Sequence, residues 1–256
     1  MRRWLAAGAL GVLAAAATPV CAEWSVSAEL ERFEWAESVS PSVTETGPRV
    51  ALGLQWAQDG EAAWRPAYQG RVYGGSPDYD GSFLFSGLPR TGTTEYFGLA
   101  NELQMLHHLE GAGGLELVAG LGWDYWERKL SAFQKEEYSV GYLRLGGRIN
   151  AYAAPGWFGG GGIKYPVYAK LDARLRSLGF DQNPALKPEG QPSLYADIGY
   201  RFNATWSLAG YYDSYRFGAS DPASVTAQAL APGGRFLFFQ PKSRQDALGV
   251  RLRYGF

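Results

Sequence analysis

Counting back from Phe256, the residues Phe256, Tyr254, Leu252, Val250 and Leu248 share one parity, while Gly255, Arg253, Arg251, Gly249 and Ala247 share the other. A period of two with charge on one side only describes a β-strand with one apolar and one polar face. The pattern recurs upstream. Leu115, Leu117, Ala119, Leu121, Trp123 and Tyr125 oppose Glu116, Gly120, Gly122, Asp124 and Arg128. Leu194, Ala196, Ile198, Tyr200 and Phe202 oppose Tyr195, Asp197 and Arg201. Strands are expected near 24–35, 49–58, 64–74, 94–106, 115–128, 138–150, 157–171, 193–202, 205–216 and 243–256. That gives about ten; eight or twelve would mean that a hairpin had been split or merged. In the first strand the parity breaks after Leu30, because Phe33 and Trp35 fall on the polar count, so a bulge or a strand end is expected there. In the seventh, Ile163, Tyr165, Val167 and Ala169 should share a face opposite Lys164, Tyr168 and Lys170.

The connections then run long, short, long, short, medium, short, long, short, long. The first long one covers residues 38–48, and residues 107–114 read as a short turn. An even strand number with short turns at one end and long loops at the other predicts a single all-β, antiparallel, up-and-down transmembrane barrel, its short turns periplasmic. A soluble closed barrel would have the same alternation with its apolar face inward. Charge marks the polar faces, and an N-terminal signal peptide, the terminal Phe256 and aromatic strand ends favour the membrane version: aromatic residues make up 15% of the chain, with nine Trp and sixteen Tyr, and they gather at strand ends as interfacial girdles do. A mean hydropathy of −0.22 is compatible, since only every second residue of a barrel strand meets lipid.

Met1-Arg2-Arg3, the apolar run from Trp4 to Val20 and the Val20-Cys21-Ala22 exit have the form of a secretory signal peptide, cut between Ala22 and Glu23. Lipidation at Cys21 is the rival reading, disfavoured by the bulky Val20. The domains expected are therefore a signal peptide over 1–22 and a barrel over 23–256. The barrel segment has no cysteine, which excludes a disulfide scaffold and thiolate metal sites. A formal net charge of −1 gives no reason to expect a nucleic-acid partner, and no cofactor motif is present.

The final strand resembles the C-terminal strand of bacterial outer-membrane β-barrel proteins, which commonly ends in Phe and is read by the assembly machinery. The resemblance implies an assembly signal at Tyr254 and Phe256, outer-membrane lipid as surroundings, and periplasmic chaperones and the assembly machinery as partners during biogenesis. Enzymes of this class, among them the phospholipase, the lipid A deacylase, the palmitoyltransferase and the omptin proteases, use a histidine. Here His107 and His108 are the only two, and both lie at the short-turn end. Omptins are also ten-stranded and carry paired aspartates in an outer loop, where this chain has Asp78-Tyr79-Asp80; they also need an Asp–His pair in a later loop, and no histidine accompanies Asp181, Asp213 or Asp221. No catalytic residue and no metal ligand is therefore assigned. Asp78, Tyr79 and Asp80 are kept as ligand-binding loop candidates, although Asp78-Tyr79-Asp80-Gly81 also has turn composition.

The polar faces supply a barrel interior of Arg65, Arg71, Glu102, Glu116, Asp124, Arg144, Arg148, Lys164, Asp197, Arg201, Arg251 and Arg253. Opposite charges in a narrow barrel pair across strands and fill it; left open, the same residues would line a pore with a mild anion preference. Gly159–Gly162 lacks the Lys-Ser/Thr of a phosphate loop, so these glycines are expected to make room for neighbouring aromatic rings. Three functions remain open: a rigid platform whose outer loops (78–91, 170–192 and 218–242) bind a surface ligand, a small solute pore, or an omptin-like hydrolase.

Overall fold

The computed structural model describes residues 22–60, 62–82, 87–109, 114–149, 154–228 and 232–256. The expected signal peptide lies outside the described residues except for Ala22, which opens the first strand. The elements are β1 (Ala22–Glu37), β2 (Val43–Gln58), β3 (Trp64–Gly75), β4 (Asp78–Ser82), β5 (Pro89–Thr93), β6 (Glu95–His108), β7 (Leu115–Lys129) and β8 (Lys135–Ile149). They continue with β9 (Gly156–Ala173), a 3₁₀ turn (Leu175–Leu178), β10 (Ala185–Leu186), β11 (Gly190–Gln191), β12 (Ser193–Arg201), β13 (Trp206–Phe217), β14 (Ala223–Thr226), β15 (Arg235–Phe238) and β16 (Ser243–Gly255).

Ten of these strands close a barrel in the order β1, β2, β3, β6, β7, β8, β9, β12, β13, β16, each antiparallel to the next, with β16 pairing back onto β1. One rung of the ladder runs from Gly156 through Arg201, Ser207, Arg253, Ser27, Gly53, Arg71, Ala100, Asp124 and Val140, and returns to β9 at Ala169. A stagger of that size over ten strands implies a tilt of about 40° and a backbone radius of about 10 Å. Long side chains reaching in from opposite walls can therefore meet on the axis.

Four expectations change. β1 has neither a bulge nor an end at Leu30: it keeps register to Glu37 against both neighbours, and Phe33 and Trp35 point inward with Glu29 and Glu31. What changes there is the chemistry of the inner face, not its direction. The stretch 38–48 is mostly strand, since β2 begins at Val43, so the first outer connection is short. β6 runs on through His107 and His108 instead of turning. In β9 a bulge at the Gly141/Tyr142 register shift pairs Tyr142 with Pro166 and Gly141 with Tyr168. Val167 and Tyr168 are therefore both exposed, and Ala169 turns inward.

The outside of the barrel accounts for the length of its strands. Leu30, Val50, Leu52, Leu103, Leu121, Leu145, Ile163, Ile198, Val250 and Leu252 are all exposed and form an apolar belt. Below it lies a girdle of Trp24, Trp56, Trp64, Trp157, Tyr200, Phe202, Trp206 and Tyr254, with ring centroids 6.5 Å apart for Trp24–Trp56, 5.3 Å for Trp157–Tyr200 and 5.0 Å for Trp206–Tyr254. Above the belt stand Phe97, Trp123 and Tyr168, the last two stacked at 5.9 Å. Higher still the outward residues become ionic: Glu34 pairs with Arg244, Arg216 with Asp246, Lys129 with Glu95, and Lys135 with Glu127. The strands thus continue past the apolar belt into an ionic zone; outer-membrane barrels present an apolar band of about 25 Å to lipid.

Candidate functional site: the filled lumen and its outer cap

Three layers fill the inside. Near the short turns, Arg65 and Arg148 both hold Glu116, while Arg251 and Arg71 hold Glu29 at 2.7 and 2.9 Å. At mid-height Arg144 pairs with Glu102 at 3.0 Å and Lys164 with Asp213 at 2.6 Å; Arg71 and Arg49 share Glu31, the latter at 2.6 Å. Tyrosines connect these pairs. Tyr142 donates to Glu102 at 2.8 Å, Tyr211 donates to Glu31 at 2.6 Å, and Tyr73 and Tyr215 both donate to Asp124, at 2.8 and 3.2 Å. Of the interior residues read from the sequence, all but Asp197, Arg201 and Arg253 form ion pairs or charge-assisted hydrogen bonds among the described residues.

Above the ionic layers the lumen is aromatic. Phe33, Trp35, Tyr73, Tyr96, Trp126, Tyr138, Tyr142, Tyr215 and Phe217 form one buried cluster with Val140, Leu171 and Leu186. Its contacts cross the barrel. Trp35 on β1 meets Tyr138 on β8, half-way around the ring, at 5.4 Å, and Trp126 on β7 meets Tyr215 on β13 at 5.8 Å. Trp35, Trp126, Tyr138, Phe33 and Phe217 have no solvent exposure. The layer is a roof over the lumen.

Glycine places the rings. A Cβ on Gly98 would fall 2.2 Å from Tyr73, on Gly122 2.2 Å from Tyr142, on Gly249 2.7 Å from Tyr211, and on Gly146 2.2 Å from the Tyr195 hydroxyl. Each tyrosine occupies the space a Cβ would fill at a glycine on another strand, the use of glycine where a neighbouring group must approach closely. The tetraglycine differs from the expectation: a Cβ on Gly159 would meet the Asp197 carbonyl at 2.9 Å, on Gly160 Arg148 Cβ and the Gly147 carbonyl at 3.0 Å, on Gly161 the Tyr195 carbonyl at 3.1 Å and on Gly162 the Leu145 carbonyl, so these glycines admit neighbouring backbone and not rings.

At the outer rim sits a cluster the sequence reading missed. Arg128 contacts Glu37 at 2.9 Å, Glu136 at 2.8 Å and Glu45 at 2.7 Å. Thr94 and Tyr96 also donate to Glu45, Trp35 Nε1 donates to Glu37 at 2.9 Å, and Tyr138 reaches Gln240 at 3.1 Å. Three carboxylates share one guanidinium. Burial pushes the Glu136 carboxyl above its usual range, opposed by Arg128 and reinforced by the charges of Glu37 and Glu45. Over this rim, outer loops pack on one another. Phe180 lies edge-on to Phe236 at 5.4 Å and Phe238 at 5.1 Å, with Val225, Ala227, Leu175 and Ala173 around them. Thr226 donates to Asp181 at 2.6 Å, joining the 174–192 and 218–242 connections.

Asp78-Tyr79-Asp80 is neither a turn nor a loop. It is β4, paired with β2 on one side and β5 on the other. Pairing turns Asp78 and Asp80 to the exposed face and buries Tyr79 against Val43 and Leu130, with Arg90 5.2 Å over its ring. The two carboxylates therefore do not face the barrel mouth. No group of three or more His, Cys, Asp or Glu side chains arranged to hold a metal is found among the described residues. His107 stacks on Trp64 at 4.3 Å and its Nδ1 lies 2.9 Å from the Ala63 carbonyl, inside the lower girdle.

No family model and no curated protein matches the sequence. Solved structures do match. The outer-membrane protease OmpT from Escherichia coli superposes with a TM-score of 0.54 at 10% identity, over 92% of this chain and 96% of that one. The translocator domain of the autotransporter NalP from Neisseria meningitidis gives 0.41 at 11% identity, over 91% and 88%. The toluene transporter TodX from P. putida gives 0.32 at 10% identity, over 93% and 90%. The likeness is one of fold: a closed antiparallel β-barrel of the kind the outer-membrane protease has. Within that class it takes a ten-stranded form, with its lumen filled and its outer rim capped by packed loops.

Proposed function

We propose that the protein is an integral outer-membrane platform without enzymatic activity, on which a closed barrel holds outer loops in a fixed arrangement for binding at the cell surface. One observation carries this reading: the aromatic roof, whose rings touch from opposite walls and have no solvent exposure. A conduction path would need an aqueous track past Trp35, Trp126 and Tyr138, and ion-paired arginines below them hold no mobile anion. The loop core of Phe180, Val225, Phe236 and Phe238 supports the same reading, since a surface ordered before binding loses less entropy on association. Lipid against the apolar belt is the remaining partner the surface supports.

Planar-bilayer recording of the refolded barrel tests the proposal. Silence in a preparation that shows the heat-modifiable mobility of a folded barrel is the expected result. Steady conductance that changes ion preference when Arg144 and Arg148 become Glu would overturn it in favour of a pore. A peptide-cleavage screen addresses the hydrolase alternative: cleavage by wild type that is lost in Asp78→Asn/Asp80→Asn would overturn the non-enzymatic assignment.

A further inference from the structure

The floor of the lumen holds two arginines that the ionic layers leave over. Arg201 on β12 and Arg253 on β16 lie on one rung, directly opposite Ser207 of the intervening β13 from either side. Residues directly opposite one another in antiparallel pairs share a face, so all three side chains belong to the inner wall. Ser207 is buried there. Two strand spacings separate the arginine backbones by about 10 Å, a gap two guanidinium groups can close around one ion. Neither arginine lies within ion-pair distance of an acid among the described residues, and the buried Nε of Arg253 has no hydrogen-bond partner.

The charges acting on Arg253 are those of Arg251, Asp197, Arg148 and Glu29. Three of the four are committed elsewhere: Arg251 to Glu29 at 2.7 Å and Arg148 to Glu116 at 2.5 Å. Among the described residues, Asp197 remains to balance Arg201 and Arg253. Access is one-sided. The Arg148 side chain on the floor keeps 30% of its exposure, whereas the roof above has none.

We infer that Arg201, Ser207 and Arg253 form a binding site for a phosphate-type oxyanion, entered from the periplasmic side and closed above by the aromatic roof. Two planar guanidinium forks and a hydroxyl match the several oxygens of a tetrahedral anion better than a spherical chloride. The inference stands apart from the platform reading, because it concerns the opposite end of the barrel and needs no surface ligand.

The test is calorimetric titration of the full barrel in detergent with inorganic phosphate, against chloride at matched ionic strength, together with the thermal unfolding midpoint in each salt. Saturable phosphate binding and a raised midpoint are expected in wild type. Arg253→Gln should weaken binding about tenfold or more, as expected for loss of one charge-assisted hydrogen bond. Asp197→Asn should strengthen it by removing the competing carboxylate. Arg201→Gln, on the same rung of the floor, is the second variant should Arg253→Gln fail to fold, with folding of each read from heat-modifiable mobility. Phosphate binding no tighter than chloride, or unchanged in the folded arginine variant, overturns the inference.

Discussion

Adding one methyl group at Gly122 should destabilise the barrel more than its size suggests. The new Cβ would stand 2.2 Å from Tyr142 Cζ and 2.5 Å from its hydroxyl, far inside van der Waals contact. Tyr142 cannot swing aside easily, because its ring packs against Tyr215 at 6.0 Å and its hydroxyl donates to Glu102 at 2.8 Å. Overpacking a filled core costs about 1–3 kcal/mol, and losing a hydrogen bond to a buried charge about 1.5–3 kcal/mol. Gly122→Ala should therefore cost about 3–5 kcal/mol in urea unfolding from lipid vesicles, followed by tryptophan fluorescence. Gly210→Ala is the control: nothing but the Gly249 carbonyl, at 4.0 Å, approaches the Cβ position, and the change should be close to neutral. Tyr142→Ala combined with Gly122→Ala should cost much less than the two single changes added together, because the clash disappears with the ring. Additive costs, or a Gly122→Ala variant as stable as the Gly210→Ala control, would refute the packing argument.

Three further outcomes are expected. Because burial holds Glu136 above its ordinary range, the folded state binds that proton more tightly than the unfolded chain, so its contribution to stability grows as pH falls from neutrality towards the usual carboxylate range; Glu136→Gln should abolish this rise and be the more stable protein at neutral pH, as read by unfolding midpoints against pH. Leu145→Arg, on an exposed belt position, should cost about 2–4 kcal/mol in vesicles, and a cost near zero would move the lipid boundary. Replacing Trp126 and Tyr215 together by Ala should breach the roof and give discrete conductance steps in a planar bilayer; a silent but folded double variant would mean that the ionic layers below suffice to seal the lumen.

The lower two-thirds of each strand could be read directly because lipid and lumen impose opposite demands on alternate residues. Leu117 and Leu121 against Glu116 and Asp124 leave no ambiguity about which parity is which. Three places were opaque for physical reasons. Phe33 and Trp35 looked like a parity break because alternation reports a change of polarity and cannot tell a turned strand from a changed medium. In β9 the bulge at Val167 is hidden because Tyr165, Pro166, Val167 and Tyr168 are all compatible with either face. Asp78 to Gly81 has turn composition, but ladder bonds to β2 and β5 outweigh local preference. The rim cluster escaped for a related reason. Arg128 was read at a strand end, and Glu37, Glu45 and Glu136 in connections, whereas long-range pairing carries those segments into strands and converges their side chains.

The change of medium along β1 has a consequence for how this chain can vary. Through Glu29 and Glu31 the inward positions are hydrophilic and the outward Leu30 is greasy; at Phe33 and Trp35 the inward positions are greasy and the outward Glu34 between them is hydrophilic. A lysine scan along the inner face should thus be tolerated best low on the strand and worst high on it, and a scan along the outer face should give the reverse. The level at which the two profiles cross would mark the lipid surface from within the sequence itself, with no probe of the bilayer. A family descended from this barrel could shift that level residue by residue, and so fit membranes of different thickness, without altering strand number or register.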